Sequence, residues 1–524
     1  MEMKNSVRSR TWNTSMNLIT GLGGQLLVVL FNFISRTVFI KTLGSDYLGI
    51  NGLFSDILKM LSLTELGIDT AVNFRLYKPL ADHDEKRIRL LMKFYKRAYI
   101  VVGLVIFAGG LLLLPFLPYL VKDYYKFEQL NINAVFVFII YLAQSTSSYL
   151  FFAARTSIVK ADQKWYLINI VDYAVTVIVN IIQIIILVLL RDFIIYTVIS
   201  AAGVILQSFL NAIVSTKMYP YAFEKEKDNI SKSEITDIFK DIASLFVFKV
   251  NTVILKASDN LVLSIFIGLE IVGLYSNYLM FYLTITTLLQ RVYDSVRAST
   301  GNLFANSSDD EKRKFFETMN FISILLYGTA CVGIALEVDE FIACWIGSGF
   351  IIAQPFAILI GVEILFAGLK KNLNQIRNVS GVFKQMWYRP LIGIILNLVV
   401  SIVLVRIIGI YGVIIGTISA DVLTNFMLDP FVIYKYSLNG HGSAKDYYVR
   451  NFLYFIVLTV VLVLDYFVCQ NFITGFGWLS VIVHAIICGI SVPIALCIVF
   501  HKTREYRYLK SIVMKGFKQL FCKG

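Results

Sequence analysis

The chain has 524 residues, of which 57% are hydrophobic and only 16% charged, and its mean hydropathy is +0.71. A composition this apolar excludes a water-soluble globular protein and makes lipid the solvent. The net charge of +13 would point to nucleic acid in a soluble protein, so its distribution along the chain has to be read first.

The apolar residues come in blocks of about 18 to 28, the length a helix needs to cross about 30 Å of hydrocarbon, and the ten-residue alternating strands of an outer-membrane barrel are absent. In chain order the expected spans are 16–40, 49–77, 98–120, 132–154, 166–190, 193–215, 242–267, 271–297, 318–337, 351–369, 391–408, 410–433, 451–469 and 475–500. The first fifteen residues are polar and basic (Lys4, Arg8, Arg10) and no small-residue cleavage site follows, so the first block reads as a retained span rather than a signal peptide.

Alternating from a cytoplasmic amino terminus, roughly 36 Lys and Arg fall in inner segments and roughly 5 in outer loops, the asymmetry of the positive-inside rule. Both termini are therefore expected in the cytoplasm, and the protein in the cell membrane. The richest inner segments are Lys78–Arg97, Lys370–Arg389 and the tail from Lys502, which reads as a basic amphipathic helix on anionic lipid. Orientation accounts for most of the positive charge, and no nucleic-acid partner is expected. The longest polar interval, Lys217 to Asp241, is too short for a soluble catalytic domain.

Two connections repeat. Gly44, Asp46 and Gly49 in LGSDYLG match Gly268, Glu270 and Gly273 in IGLEIVG at one constant offset, which also separates span one from span seven. Glycine permits a tight reversal, and the acid at the following helix start is favoured by the helix dipole. Two six-helix lobes in parallel orientation produce such an offset. The expected fold is all-α and polytopic, about 14 transmembrane helices: an amino-terminal lobe (1–215), a cytoplasmic linker (216–241), a second lobe (242–433), two additional helices (434–500) and a basic tail (501–524).

The six cysteines, Cys331, Cys344, Cys469, Cys488, Cys497 and Cys522, show no paired C-x-x-C spacing, and the four histidines no H-E-x-x-H. No metal, disulfide framework or cofactor is expected. Asp309 and Asp310 in SSDDEKRK read as a solvated turn.

Charged residues within spans are costly and mark cavities or relays. Lys249, Thr252, Lys256, Asp259 and Asn260 form one stripe on span seven; Asn277, Thr284 and Arg291 recur every seven residues on span eight, and the two stripes are expected to face each other across a cavity. Gln25, Asn32 and Arg36 share a face of span one. Lys59, Ser62, Glu65, Asp69 and Arg75 line span two, Asp172, Asn180 and Gln183 span five, and Glu363 span ten. The substrate-cavity candidates are thus Arg36, Lys59, Lys249, Thr252, Lys256, Asn260, Asn277, Thr284 and Arg291, and the ion-coupling candidates Glu65, Asp69, Asp172 and Asp259. A cation-rich cavity attracts an anion such as a diphosphate.

The chain resembles the Wzx-type polysaccharide flippases of the multidrug, oligosaccharidyl-lipid and polysaccharide exporter superfamily. The resemblance rests on RTVFIKTLGSDYLGINGLF (Arg36–Phe54) joined to LTELGIDTAV (Leu63–Val72), on KADQKWYLINI (Lys160–Ile170), and on the stretch Arg377–Val422 that contains GTIS. It implies translocation of an undecaprenyl-diphosphate-linked oligosaccharide from the inner to the outer leaflet by alternating access, coupled to H+ or Na+, with a polysaccharide polymerase and glycosyltransferases as partners and no enzyme chemistry of its own. Lipid II flippases and drug or metabolite antiporters of the same superfamily are the competing expectations. A membrane-integral polymerase would need a longer catalytic loop than Glu337–Phe350 offers, and no G-x-x-x-x-G-K-[ST] loop exists for a nucleotide-driven pump.

Overall fold

The computed structural model describes residues 2–62, 68–151, 153–162, 164–382, 386, 388–472 and 477–521, and among these it is helical throughout its length with no strand. We number the main helices α1 (Glu2–Leu43), α2 (Ser45–Leu61), α3 (Ile68–Ala81), α4 (Glu85–Leu113), α5 (Ala134–Phe151), α6 (Ala153–Ala161), α7 (Trp165–Leu189), α8 (Phe193–Met218), α9 (Lys232–Phe266), α10 (Leu269–Asn306), α11 (Asp309–Ile346), α12 (Gln354–Ser380), α13 (Arg389–Ile408), α14 (Ile410–Asp421), α15 (Ala444–Phe472), α16 (Trp478–Phe500) and α17 (Arg504–Phe521). Among the described residues, every expected span overlaps helix. Among the described residues, 11 helices are long and apolar enough to cross a membrane; the three remaining expected spans are α2 with α3, α9 and α12. The protein is a multi-pass membrane protein.

Helix starts follow their sequence signals. Asp84 caps α4 by accepting from the Arg87 amide, Asp192 caps α8 by accepting from Ile195, and Ser308 with Glu311 forms a capping box at α11. Asp309 and Asp310 thus lie in the first turn of α11 rather than in a turn before it. Lipid-facing residues are apolar: Ile482, Ile486, Ile490, Ile494 and Ile498 recur every four residues along one exposed face of α16, while His484, Cys488, Val492, Leu496 and Phe500 line its buried face.

The chain divides into two compact units, 1–273 and 274–524. In the first, α1 packs along α7, α7 on α8, and α2 on α9. The rim that the charge pattern assigns to the cytoplasm is an ionic strap: the segment after α8 lies along α4, with Lys86 to Asp228 at 2.8 Å, Arg89 to Glu226 at 3.4 Å, Lys93 donating to the Glu226 carbonyl at 2.8 Å, and Arg87 paired with Glu234. Glu226 and Asp228 are held below their ordinary carboxylate pKa values, Glu226 chiefly by the Asp228 amide and Asp228 by Lys86.

In the second unit α11 is the central helix, packed by α12, α15, α16 and α17. Phe321, Ile324, Val332, Leu365, Tyr454, Leu458, Cys488, Val492 and Phe500 form one buried cluster, with Tyr506 and Leu509 of α17 against it. Glu505, at the start of α17, accepts from the Tyr454 hydroxyl at 3.0 Å and from Arg450 at 3.3 Å. The tail is a helix anchored to the bundle by its first turn.

Candidate functional site

The repeated glycine connections meet. Gly44 and Gly268 both take positive φ, 92° and 137°, and reverse the chain from α1 to α2 and from α9 to α10. Just beyond, α2 crosses the first turn of α10 so closely that a Cβ on Gly49 would overlap the Leu269 carbonyl, and one on Gly273 the Ser45 carbonyl. Leu269 is the counterpart of Ser45 at the offset that relates Gly273 to Gly49, so the crossing is reciprocal. Only glycine lets two backbones approach this way.

The symmetry extends to the acids. Lys126, on the short turn before α5, reaches Asp46 at 2.9 Å and its counterpart Glu270 at 3.7 Å. Burial works against the ammonium, but the hydrogen bond and charge of Asp46, with Glu270 and Asp123, outweigh it and hold the Lys126 pKa above the ordinary lysine value. Beside it, Lys122 donates its amide to the Ser264 carbonyl at 3.0 Å, and the Ser264 hydroxyl donates to the Leu120 carbonyl at 2.8 Å. These groups lie on the side that the charge pattern assigns to the outer face.

Deeper along α2, Asp56 joins two of the expected cavity residues. It accepts from Asn260 at 2.5 Å and pairs with Lys59 at 2.6 Å, whose side chain is 65% exposed. Asp259, next to Asn260, is buried. Along α1, half-buried Arg36 lies beside Tyr196, whose hydroxyl is hydrogen-bonded to Ser35; Asn180 donates to Asn32 at 3.3 Å, and Asp172 accepts from Asn211 at 2.7 Å. At the end of this unit that the charge pattern assigns to the cytoplasm, a cavity of about 490 Å³ is lined by the cations Arg89, Lys93, Lys96 and Arg155 and the acids Glu224 and Glu226, with Tyr149 and Phe223.

In the second unit Asn277 is buried, Thr284 half-buried and Arg291 exposed. Lys249, Thr252 and Lys256 fall on α9 and Asp69 on α3, with side chains outside the described ones, and Glu65 lies outside the described residues. The structure adds a network that the stripes do not contain. Arg389 pairs with Asp429 at 2.6 Å and donates to Asn425; Asn425 donates to Asp421 at 2.9 Å; Lys370 pairs with Asp421 at 2.7 Å; and Arg377 stands 3.6 Å from Asp429. Asp429 is 1% exposed, and its Oδ1 has no hydrogen-bond partner. After α14 the helix widens into π turns at Val422–Phe426 and Ile433–Ser437, and Asn425, in the first, and Asp429, between the two, meet Arg389 at the start of α13. Three cations against two acids leave this buried set with a net positive charge.

No family model and no curated protein matches the chain. Solved structures do. An inward-facing multidrug resistance MATE family transporter of the MOP superfamily superposes with a TM-score of 0.60 at 12% identity, covering 81% of this chain and 99% of that one. The lipid II flippase MurJ, in an inward closed conformation, superposes with a TM-score of 0.62 at 14% identity, covering 92% of this chain and 98% of that one. An outward-facing MATE transporter gives 0.53 at 11% identity. At these identities the likeness establishes the architecture: the chain has the fold shared by MOP superfamily transporters.

Proposed function

We propose that the protein is a flippase that carries a polyprenyl-diphosphate-linked oligosaccharide from the cytoplasmic to the outer leaflet of the cell membrane, for assembly of a surface polysaccharide. The observation that carries the reading is the sign of the charge at depth. Lys370, Arg377 and Arg389 outnumber Asp421 and Asp429, and a further cationic cavity opens at the inner end of the first unit. Cations held in a low-dielectric setting attract a diphosphate and repel a cationic drug. The polyprenyl tail stays in lipid, so only the headgroup needs a polar path.

Coverage supports the same choice. The flippase superposition takes in 92% of the chain and the MATE superposition 81%; the difference, roughly 58 residues, is about the length of two spans with their turn. Asp56, Asp259 and Asp172, buried or half-buried with polar partners, are the groups we propose for coupling to H+ or Na+, with Asp69 and Glu65 of the sequence pattern. A lipid II flippase is the second reading, favoured by the MurJ likeness. Loss of the gene separates them: loss of capsule from viable cells supports the first, lysis the second. Lys256→Ala and Arg291→Ala are each expected to abolish surface polysaccharide without lowering membrane abundance, and normal polymer in both variants overturns the cavity assignment.

A further inference from the structure

Three helix ends converge in the second unit: the carboxyl-terminal part of α11 with Glu337 and Glu340, that of α15 with Cys469, and the amino-terminal part of α16 with His484. Glu337, Cys469 and His484 are buried, and a carboxylate oxygen, the sulfur and a ring nitrogen from the three lie within 4.8 Å of one another. His484 Nδ1 stands 3.0 Å from Glu337 Oε2 and 3.3 Å from Glu340 Oε2, and Nε2 is buried with no hydrogen-bond partner. One ring N–H can serve one carboxylate well, so the second acid is brought to the same nitrogen against its charge. Asp465, one turn from Cys469, adds another acid and is held by Ser491 at 2.6 Å. Among the described residues no Lys or Arg pairs with Glu337, Glu340 or Asp465. The protein's own groups thus leave two carboxylates crowded on one nitrogen of a buried imidazole and its other nitrogen unpartnered.

We propose that Glu337, Cys469 and His484, with Glu340 as fourth donor, form a binding site for a zinc-type divalent cation. A thiolate, an imidazole and carboxylates suit a borderline metal, whereas magnesium and calcium take six or more oxygens. Around tetrahedral zinc, with bonds of about 2.0–2.3 Å, donor atoms are about 3.3–3.7 Å apart; His484 Nδ1 already stands 3.0 and 3.3 Å from the two carboxylates, and the Cys469 sulfur, within 4.8 Å of the Glu337 and His484 donors, has at most about 1 Å to close. On binding, the Cys469 thiol releases its proton to solvent and coordinates as thiolate. The ion would clip the α15–α16 pair to α11 at the end opposite the anchor made by Glu505.

The test uses the full-length protein, stripped with chelator in detergent and titrated with Zn(II) alone and Co(II) alone. One Zn(II) per chain should survive desalting. Co(II) should give a thiolate-to-cobalt charge-transfer band in the near ultraviolet and strong tetrahedral bands in the visible, bleached by Zn(II). Cys469→Ser should lose the charge-transfer band and weaken Zn(II) binding by at least about tenfold, with the other five cysteines in place. His484→Gln, which keeps a donor for the carboxylates, should retain no Zn(II); should it fail to fold, Cys469→Ser decides alone, because a hydroxyl replaces the thiol at nearly the same volume. A Co(II) spectrum without the thiolate band, or unchanged Zn(II) affinity in Cys469→Ser, overturns the site.

Discussion

Replacing Gly49 by alanine puts a methyl group into the crossing of α2 and α10. The new Cβ would overlap the Leu269 carbonyl oxygen and stand 2.9 Å from its carbon, so no side chain can turn away to relieve it. Restoring ordinary carbon–carbon contact requires the two backbones to part by roughly 1 Å. Overpacking of this kind costs about 1–3 kcal/mol, which makes opening of the crossing about 5–150-fold more frequent. The assay is alkylation of a cysteine placed at Ser264, which is buried beneath the Leu120 turn, in a background whose six native cysteines are replaced. Gly49→Ala should raise its reactivity toward a membrane-impermeant maleimide by that factor. Gly273→Ala should do the same, and the double variant should add little, since one separation relieves both contacts. Fully additive effects, or unchanged reactivity in either single variant, would refute the reciprocal crossing.

Lys126→Gln removes the cation shared by Asp46 and Glu270; after allowance for partial exposure the cost is about 1 kcal/mol, read as a rise in reactivity at the same reporter. Because the lysine pKa is raised, its contribution is complete below about pH 10.4 and is lost only as pH climbs through the raised value, so the reporter rate, corrected for thiol ionisation, should be flat from pH 6 to 9. Arg389→Met leaves Asp429 buried without its closest partner and should lower stability by about 3–5 kcal/mol, whereas Arg389→Met with Asp429→Leu should recover most of it while still abolishing transport. In the inner strap, the depressed Glu226 and Asp228 contribute above ordinary carboxylate pKa values and release as pH falls through their lowered ones. Proteolysis between Phe223 and Ser231 should therefore be constant from pH 7 to 5 and accelerate below about pH 4.

The membrane helices were legible because lipid imposes length and hydropathy locally, within one segment. Helix lengths were less so: α11 runs from Asp309 to Ile346 rather than over 318–337, since its charged first turns continue the helix in water, where hydropathy is silent. The repeated Gly-x-acid-x-x-Gly connection anticipated two tight reversals, though not that the copies would cross or that each glycine would meet the other copy's carbonyl. Asp56 escaped the stripe on span two although it lies one turn from Lys59, and its role appears only through Asn260 from a distant helix. Asp421 and Asp429 lie within the expected span 410–433 and joined no polar stripe; the partners Lys370 and Arg389 on other helices make them a network. Glu337, Cys469 and His484 obey no local spacing, so their convergence appears only in the tertiary structure.

The central claim is most directly tested in vesicles. Purified protein is reconstituted in liposomes that carry a fluorescent undecaprenyl-diphosphate disaccharide, and an impermeant quencher measures how much label crosses between leaflets. The account predicts protein-dependent exchange that is lost in Arg389→Met and unaffected by excess cationic drug. Absence of exchange, together with uptake of a cationic drug by the same vesicles, would contradict it.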